Sequence, residues 1–110
     1  MKMYINGSET GILLKSAESF VERTLGWMGK RISDREGLRI TRCDSIHTCF
    51  MRFTIDAVFI DASGSVVEAV SGIKPWRFVF PVKNAKSVLE LPQGYIAEMK
   101  IKEKDVITFK

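Results

Sequence analysis

The sequence is short of the residues most often used for chemistry. It has one histidine, two cysteines and three prolines in 110 residues. No apolar run approaches the roughly 18 to 20 residues that a membrane-crossing helix requires. The first residues, Met1-Lys2-Met3-Tyr4-Ile5-Asn6-Gly7, contain no apolar stretch followed by a small-residue cleavage site, so a cytoplasmic location is expected. No Gly-rich phosphate loop or dinucleotide fingerprint is present, which removes the common nucleotide-dependent enzyme classes. No repeat, linker or low-complexity tract divides the chain, so it is read as one domain over residues 1–110.

What is present has an ordinary globular balance, with 45% hydrophobic and 27% charged residues. Cys43 and Cys49 are expected to stay reduced, because cytosolic thiols rarely form structural disulfides. The net charge is +4. Much of it falls between residues 30 and 52, where Lys30, Arg31, Arg35, Arg39, Arg42 and Arg52 meet Asp34, Glu36 and Asp44. Acids interspersed with bases describe a solvated face better than a nucleic-acid footprint, which clusters one sign.

The pattern of side chains predicts a mostly β fold. Lys2–Ile5 reads as a strand entering Asn6-Gly7, a dipeptide suited to a tight hairpin turn, with Ile12–Leu14 returning. Ser19–Met28 reads as a helix: Ser19 and Glu22 have capping-box spacing, and Val21, Leu25 and Met28 share one face. From Gly37 onward the period is two. Leu38 and Ile40 alternate with Arg39 and Thr41, and Ile55–Asp61 is apolar on both faces, as a central strand is. Asp61-Ala62-Ser63-Gly64 is a turn leading to a strand over Ser65–Ile73. Further strands are expected at Phe78–Val82, Ser87–Leu91 and Val106–Phe109, with a helical turn at Tyr95–Met99. Seven or eight short strands and one early helix point to a compact antiparallel β-sandwich or barrel. A parallel α/β fold is disfavoured because its crossover helices are missing.

One stretch, Cys43–Asp56, concentrates unusual side chains: both thiols, His47, Met51, Arg52, Asp44 and Asp56. Cys43, His47, Cys49 and Asp56 are of the types that ligate zinc, but the spacing is not that of a paired zinc site, so no metal is assigned. A thiol with His47 could act as a nucleophile. Neither Cys43 nor Cys49 opens a helix that would activate it, so both stand only as candidate reactive thiols. Outside the stretch, Trp76 beside Arg77 offers a stacking surface.

Taken together, Glu22-Arg23 with Gly26-Trp27-Met28, Ile46-His47-Thr48 and Phe50-Met51-Arg52-Phe53 resemble a known family. Ile55–Asp61, Pro75-Trp76-Arg77, Val88-Leu89-Glu90-Leu91 with Gly94, and Ile101 with Asp105-Val106 continue the likeness. The family is the domain of unknown function 192, and the resemblance runs from about Ser16 onward. It implies a compact β-rich fold with one helix and no established reaction, cofactor or substrate. It marks Gly26, Met28, His47, Met51, Asp56, Trp76, Glu90 and Gly94 as signature positions. The chain departs from the family at Thr54, where members commonly carry proline, and from the reading of its first residues it is expected to lack the export signal some members have.

The expected function is therefore a small non-enzymatic binding or interaction module. Its candidate pocket gathers His47, Met51, Arg52, Asp56 and Trp76 around a small polar or anionic ligand. No catalytic residue and no cofactor is assigned. The alternatives are an enzyme using Cys43 or Cys49 with His47, and weak nucleic-acid binding through Arg31, Arg35, Arg39 and Arg42.

Overall fold

A computed structural model describes residues 1–17, 34–49 and 51–110. The helix expected at Ser19–Met28 lies outside the described residues. Within them the chain is mostly β, with nine strands and one short helix. The strands are β1 (Lys2–Ile5), β2 (Ser8–Ala17), β3 (Glu36–Thr41), β4 (Ile46–His47), β5 (Ile55–Ile60), β6 (Val66–Ile73), β7 (Phe78–Val79), β8 (Ser87–Pro92) and β9 (Ile107–Phe109). The helix, α1, is Tyr95–Met99.

Seven strands form one sheet in the order β6-β5-β8-β3-β2-β1-β9, and β4 pairs with β7 as a separate ribbon. The β1–β2 hairpin turns at Asn6 and Gly7, both with positive φ (50° and 84°), as that dipeptide predicts. All pairings are antiparallel except β2 with β3, which run parallel from Leu13 opposite Glu36 to Ala17 opposite Ile40. That pair departs from the antiparallel expectation. At the far ends of the sheet, β6 and β9 meet through one bridge, Ser65 to Val106, without closing a barrel. There the Val66 N–H donates to the Asp105 carbonyl and the Ile107 N–H to the Gly64 carbonyl, each at 2.8 Å.

The sheet has an apolar layer on each face. Val58, Ile60, Leu89 and Leu91 join Met3, Ile12, Leu14 and the α1 residues Tyr95 and Ile96 in one layer. Ile55, Ala57, Phe59 and Val88 join Leu38, Ile40, Ile46 and Met51 in the other. The interior strand β5, second in the order and paired on both sides, serves both, which is why all six of its residues are buried. Each large aliphatic or aromatic side chain buried this way stabilises the fold by about 1.5–3 kcal/mol.

Gly37 shows how tightly the parallel pair packs. A Cβ there would lie 2.7 Å from a Leu14 methyl, 2.8 Å from a Leu91 methyl and 3.2 Å from the Glu90 carbonyl oxygen. Gly37→Ala is expected to cost about 1–3 kcal/mol through overpacking. A urea midpoint that does not fall would contradict this contact.

Candidate functional site

The ribbon β4–β7 places side chains by simple alternation. Ile46 pairs with Val79, and both turn inward onto the Met51 layer. His47 pairs with Phe78, and their rings lie 6.2 Å apart at 49°. Trp76, Phe78 and Phe80 recur at every second position and are exposed by 56%, 68% and 81%. They are the three most exposed aromatic side chains among the described residues, in a protein that otherwise buries Phe59 and Tyr95.

Thr48 holds this corner together from a fully buried position. Its hydroxyl donates to the Lys74 carbonyl (2.6 Å) and accepts from the Arg77 N–H (2.8 Å). Its backbone accepts from the Trp76 N–H (3.0 Å) and the Met51 N–H (3.2 Å), and its own N–H donates to the Arg77 carbonyl (2.8 Å). Trp76 adopts φ 63°, a conformation uncommon for an aromatic residue, and these bonds fix the backbone there. The Cys49 N–H donates to His47 Nδ1 at 3.3 Å, so the neutral ring carries its proton on Nε2.

The charge carried by the segment itself is of one sign, while exposed Asp44 lies across from its far end, its carbonyl accepting the Val82 N–H at 2.8 Å. From Ala69 to Leu89 the chain carries Lys74, Arg77, Lys83 and Lys86 and no acid. All four are exposed. Arg52, also exposed, follows the Thr48–Met51 turn into the same corner.

The sequence-predicted pocket is brought together only in part. His47, Arg52 and Trp76 lie around the Thr48 corner, and Met51 is 4% exposed, in the layer beneath it. Asp56 is elsewhere. It alternates with Ile55 and Ala57 and so faces the opposite side of the sheet, toward Val58, Ile60 and α1. There its fully buried carboxylate accepts three backbone N–H groups, from Gly72 (3.0 Å), Gly94 (3.1 Å) and Ile96 (2.9 Å). Gly72 and Gly94 both have positive φ, 65° and 93°, which turns their N–H groups toward Asp56 without steric cost.

Neither cysteine is in a disulfide. The Cys43 thiol donates to the Ser45 carbonyl at 2.8 Å. Cys43 also lines a shallow cavity of about 360 Å³ with Arg42, Asp44, Ala85 and Lys86. The contact between Cys49 and His47 runs through the Cys49 backbone, not its thiol. Among the described residues no group of three His, Cys, Asp or Glu side chains is placed to hold a metal ion.

Sequence reasoning passed over Phe78 and Phe80 by reading them as ordinary strand residues. The available signal was alternation of Trp76, Phe78 and Phe80 inside a stretch without acids. Glu90 is the other buried polar group of note: it is 2% exposed and its Oε2 has no hydrogen-bond partner. Burial pushes its carboxyl up to about 8.

These features define a small mixed-sheet β protein with an aromatic, cationic ribbon on its surface. The chain belongs to the domain of unknown function 192 family, whose model, described as "Uncharacterized ACR", matches residues 1–109. It is similar to a UPF0127 protein of Pyrococcus furiosus, 34% identical over 105 residues, covering 90% of this chain and 88% of that one. A UPF0127 protein of Pyrococcus horikoshii is 38% identical over 87 residues, covering 74% and 73%. The fold matches the crystal structure of a protein of unknown function from Novosphingobium aromaticivorans at a TM-score of 0.88 and 19% identity, over 98% of this chain and 84% of that one. A Sinorhizobium meliloti protein, described only as a supposed transcription regulator, matches at 0.86 and 16%, over 97% and 91%. At these identities the two crystal structures share a fold with this chain. No helix among the described residues is long and apolar enough to cross a membrane.

Proposed function

We propose that this chain is a non-enzymatic binding module that holds an anionic ligand bearing a planar group on the outer face of the β4–β7 ribbon. One observation carries the reading: Trp76, Phe78 and Phe80 stand exposed at alternate positions within a run that holds four cations and no acid. Exposed aromatic groups of this kind are unfavourable to leave in water and commonly mark a contact surface. Rings supply a flat apolar surface, and neighbouring Lys74, Arg77, Lys83 and Arg52 supply charge for an anion. His47, with Nε2 available as a donor, adds one directional hydrogen bond beside Phe78. A cytoplasmic setting suits this reading and agrees with two thiols outside any disulfide.

Anilinonaphthalene sulfonate, a planar anion, is a direct probe of this face. It is expected to bind the native protein with enhanced dye fluorescence, and Phe80→Ala is expected to weaken binding about tenfold. Asp61→Asn, in the β5–β6 turn, is expected to leave it unchanged. Equal binding by the wild type and Phe80→Ala, with native circular dichroism in both, would reject the reading.

A further inference from the structure

We infer that the ribbon face is a docking surface for single-stranded nucleic acid; this rests on the binding face proposed above and names its occupant. Three features favour a single strand. Phe78 and Phe80 are both exposed and lie two residues apart where the segment leaves β7, a separation of about 6.6 Å on extended chain, so the two rings can each take a base of a strand laid along the segment; Trp76 stands beside them on the turn that enters β7. Phe78, paired in register with His47, stands on the face of a small sheet, with Trp76 and Phe80 flanking it in the same segment, in the manner of a stacking platform. The charge is complementary along the same segment, with Lys74 before the rings, Arg77 between Trp76 and Phe78, and Lys83 and Lys86 after them.

A duplex fits the face poorly. Its bases are stacked inside, where phenylalanine rings cannot meet their flat surfaces, and groove edges are read by hydrogen-bonding side chains. Trp76, Phe78 and Phe80 offer almost no such groups, so the surface is expected to tolerate many sequences rather than read one. This surface differs from the Arg31, Arg35, Arg39 and Arg42 region that the sequence brought forward. Of those residues, Arg35 is committed to Glu98 through two bonds of 3.0 and 3.1 Å, and Arg39 lies over the Phe109 ring at 4.6 Å. The segment that bears the rings instead carries four cations and no acid of its own, Asp44 lying across from Val82 at its far end.

The test uses the full chain and an oligothymidylate about twelve nucleotides long, within the site sizes known for single-strand platforms. Fluorescence anisotropy at low salt is expected to show saturable binding, with quenching of tryptophan emission on titration of the unlabelled strand. Phe78→Ala and Phe80→Ala are each expected to weaken binding about tenfold or more. Lys83→Glu is expected to weaken it severalfold and to flatten its salt dependence between about 50 and 200 mM. Lys104→Glu, beside the β6–β9 bridge, is expected to have a small effect by comparison.

Four outcomes overturn the inference. One is duplex DNA of equal length binding as tightly as the single strand, with the same response to Phe80→Ala. A second is an oligothymidylate that fails to bind while anilinonaphthalene sulfonate still binds in a Phe80-dependent way; the face then takes a small planar anion and the proposed function stands. The third is binding to vesicles of phosphatidylserine and phosphatidylcholine that depends on Phe80 while the oligothymidylate does not bind, which makes the partner a lipid surface. Loss of both dye and oligothymidylate binding would remove the face itself.

Discussion

Replacing Glu90 with glutamine is expected to abolish a fall in stability of about 1.4 kcal/mol per pH unit between about pH 4.5 and pH 8. Glu90 lies on β8, in register with Leu38 on one side and Ala57 on the other. Both neighbours belong to the apolar layer that also holds Ile46 and Met51. Its Oε2 has no hydrogen-bond partner, and burial alone lifts the carboxyl from 4.5 to about 8. At neutral pH the native protein therefore keeps a proton that the unfolded chain has already released. The contribution to stability is fully present below the unfolded value, declines through the window, and is lost once pH passes the folded value. Its ceiling is about 4–5 kcal/mol, a large share of what a small domain possesses.

Glutamine keeps the shape and removes the titration. Urea unfolding from about pH 5 to about pH 8 should give a wild-type profile that falls and a Glu90→Gln profile that lacks this decline. Near pH 5 the variant is expected to be no more stable than the wild type, because an amide buried there also lacks partners. Near pH 8 it should be the more stable by about 3 kcal/mol. Parallel profiles would mean that Glu90 is solvated or paired in solution. The layer it disturbs lies beneath the β4–β7 ribbon, so alkaline loosening is expected to weaken ligand binding in the wild type before it does so in Glu90→Gln.

Those parts of the fold governed by neighbouring residues were legible in the sequence. Asn6-Gly7 specifies its hairpin, because few other dipeptides accept two positive φ angles in succession. Ile55–Ile60 announces an interior strand by being apolar on both faces, and it pairs on both sides, although it lies next to the edge strand β6 and not at the middle of the sheet. Asp61 closes the β5–β6 turn as its composition predicts, its Oδ1 accepting from the Ser63 and Ser65 N–H groups at 2.9 and 3.0 Å. Tyr95–Met99 is helical, with Gly94 in the left-handed conformation at its start.

The relations that depend on distant pairing were not legible. The β2–β3 parallel pair joins residues about twenty positions apart, and nothing in either strand's alternation distinguishes a parallel from an antiparallel partner. β4 is only two residues long and is extended because β7 pairs with it. The predicted strand over Phe78–Val82 shrinks to Phe78–Val79, since Pro81 has no N–H to extend a ladder. The candidate site follows the same division. Proximity in sequence joined Asp56 to His47 and Met51, but strand alternation places it on the other face of the sheet. His47 and Trp76, distant in sequence, meet through Thr48.

Asp56→Ala is expected to destabilise the protein by about 3 kcal/mol, a large loss for one substitution. The reason is the number of donors that depend on one carboxylate. Oδ1 accepts the Gly72 N–H at the end of β6, and Oδ2 accepts the Gly94 and Ile96 N–H groups at the start of α1. Removing the acceptor leaves the buried Ile96 N–H unsatisfied at about 1–3 kcal/mol, and takes from the Gly72 and Gly94 N–H groups, at exposed turn positions that water can reach, a partner worth about 1 kcal/mol each. Asp56→Asn separates shape from charge. Its carbonyl can take the place of Oδ2, while its amide then points a donor at the Gly72 N–H, so a loss of about 2–3 kcal/mol is expected. Urea midpoints shifted by less than 1 kcal/mol in both variants would show that the clamp is not formed in solution. The same Asn variant also decides between two sites. Since Asp56 faces away from the ribbon, folded Asp56→Asn should bind anilinonaphthalene sulfonate and oligothymidylate with wild-type affinity. Loss of both, with native circular dichroism retained, would return Asp56 to the binding site and move that site away from Phe78 and Phe80.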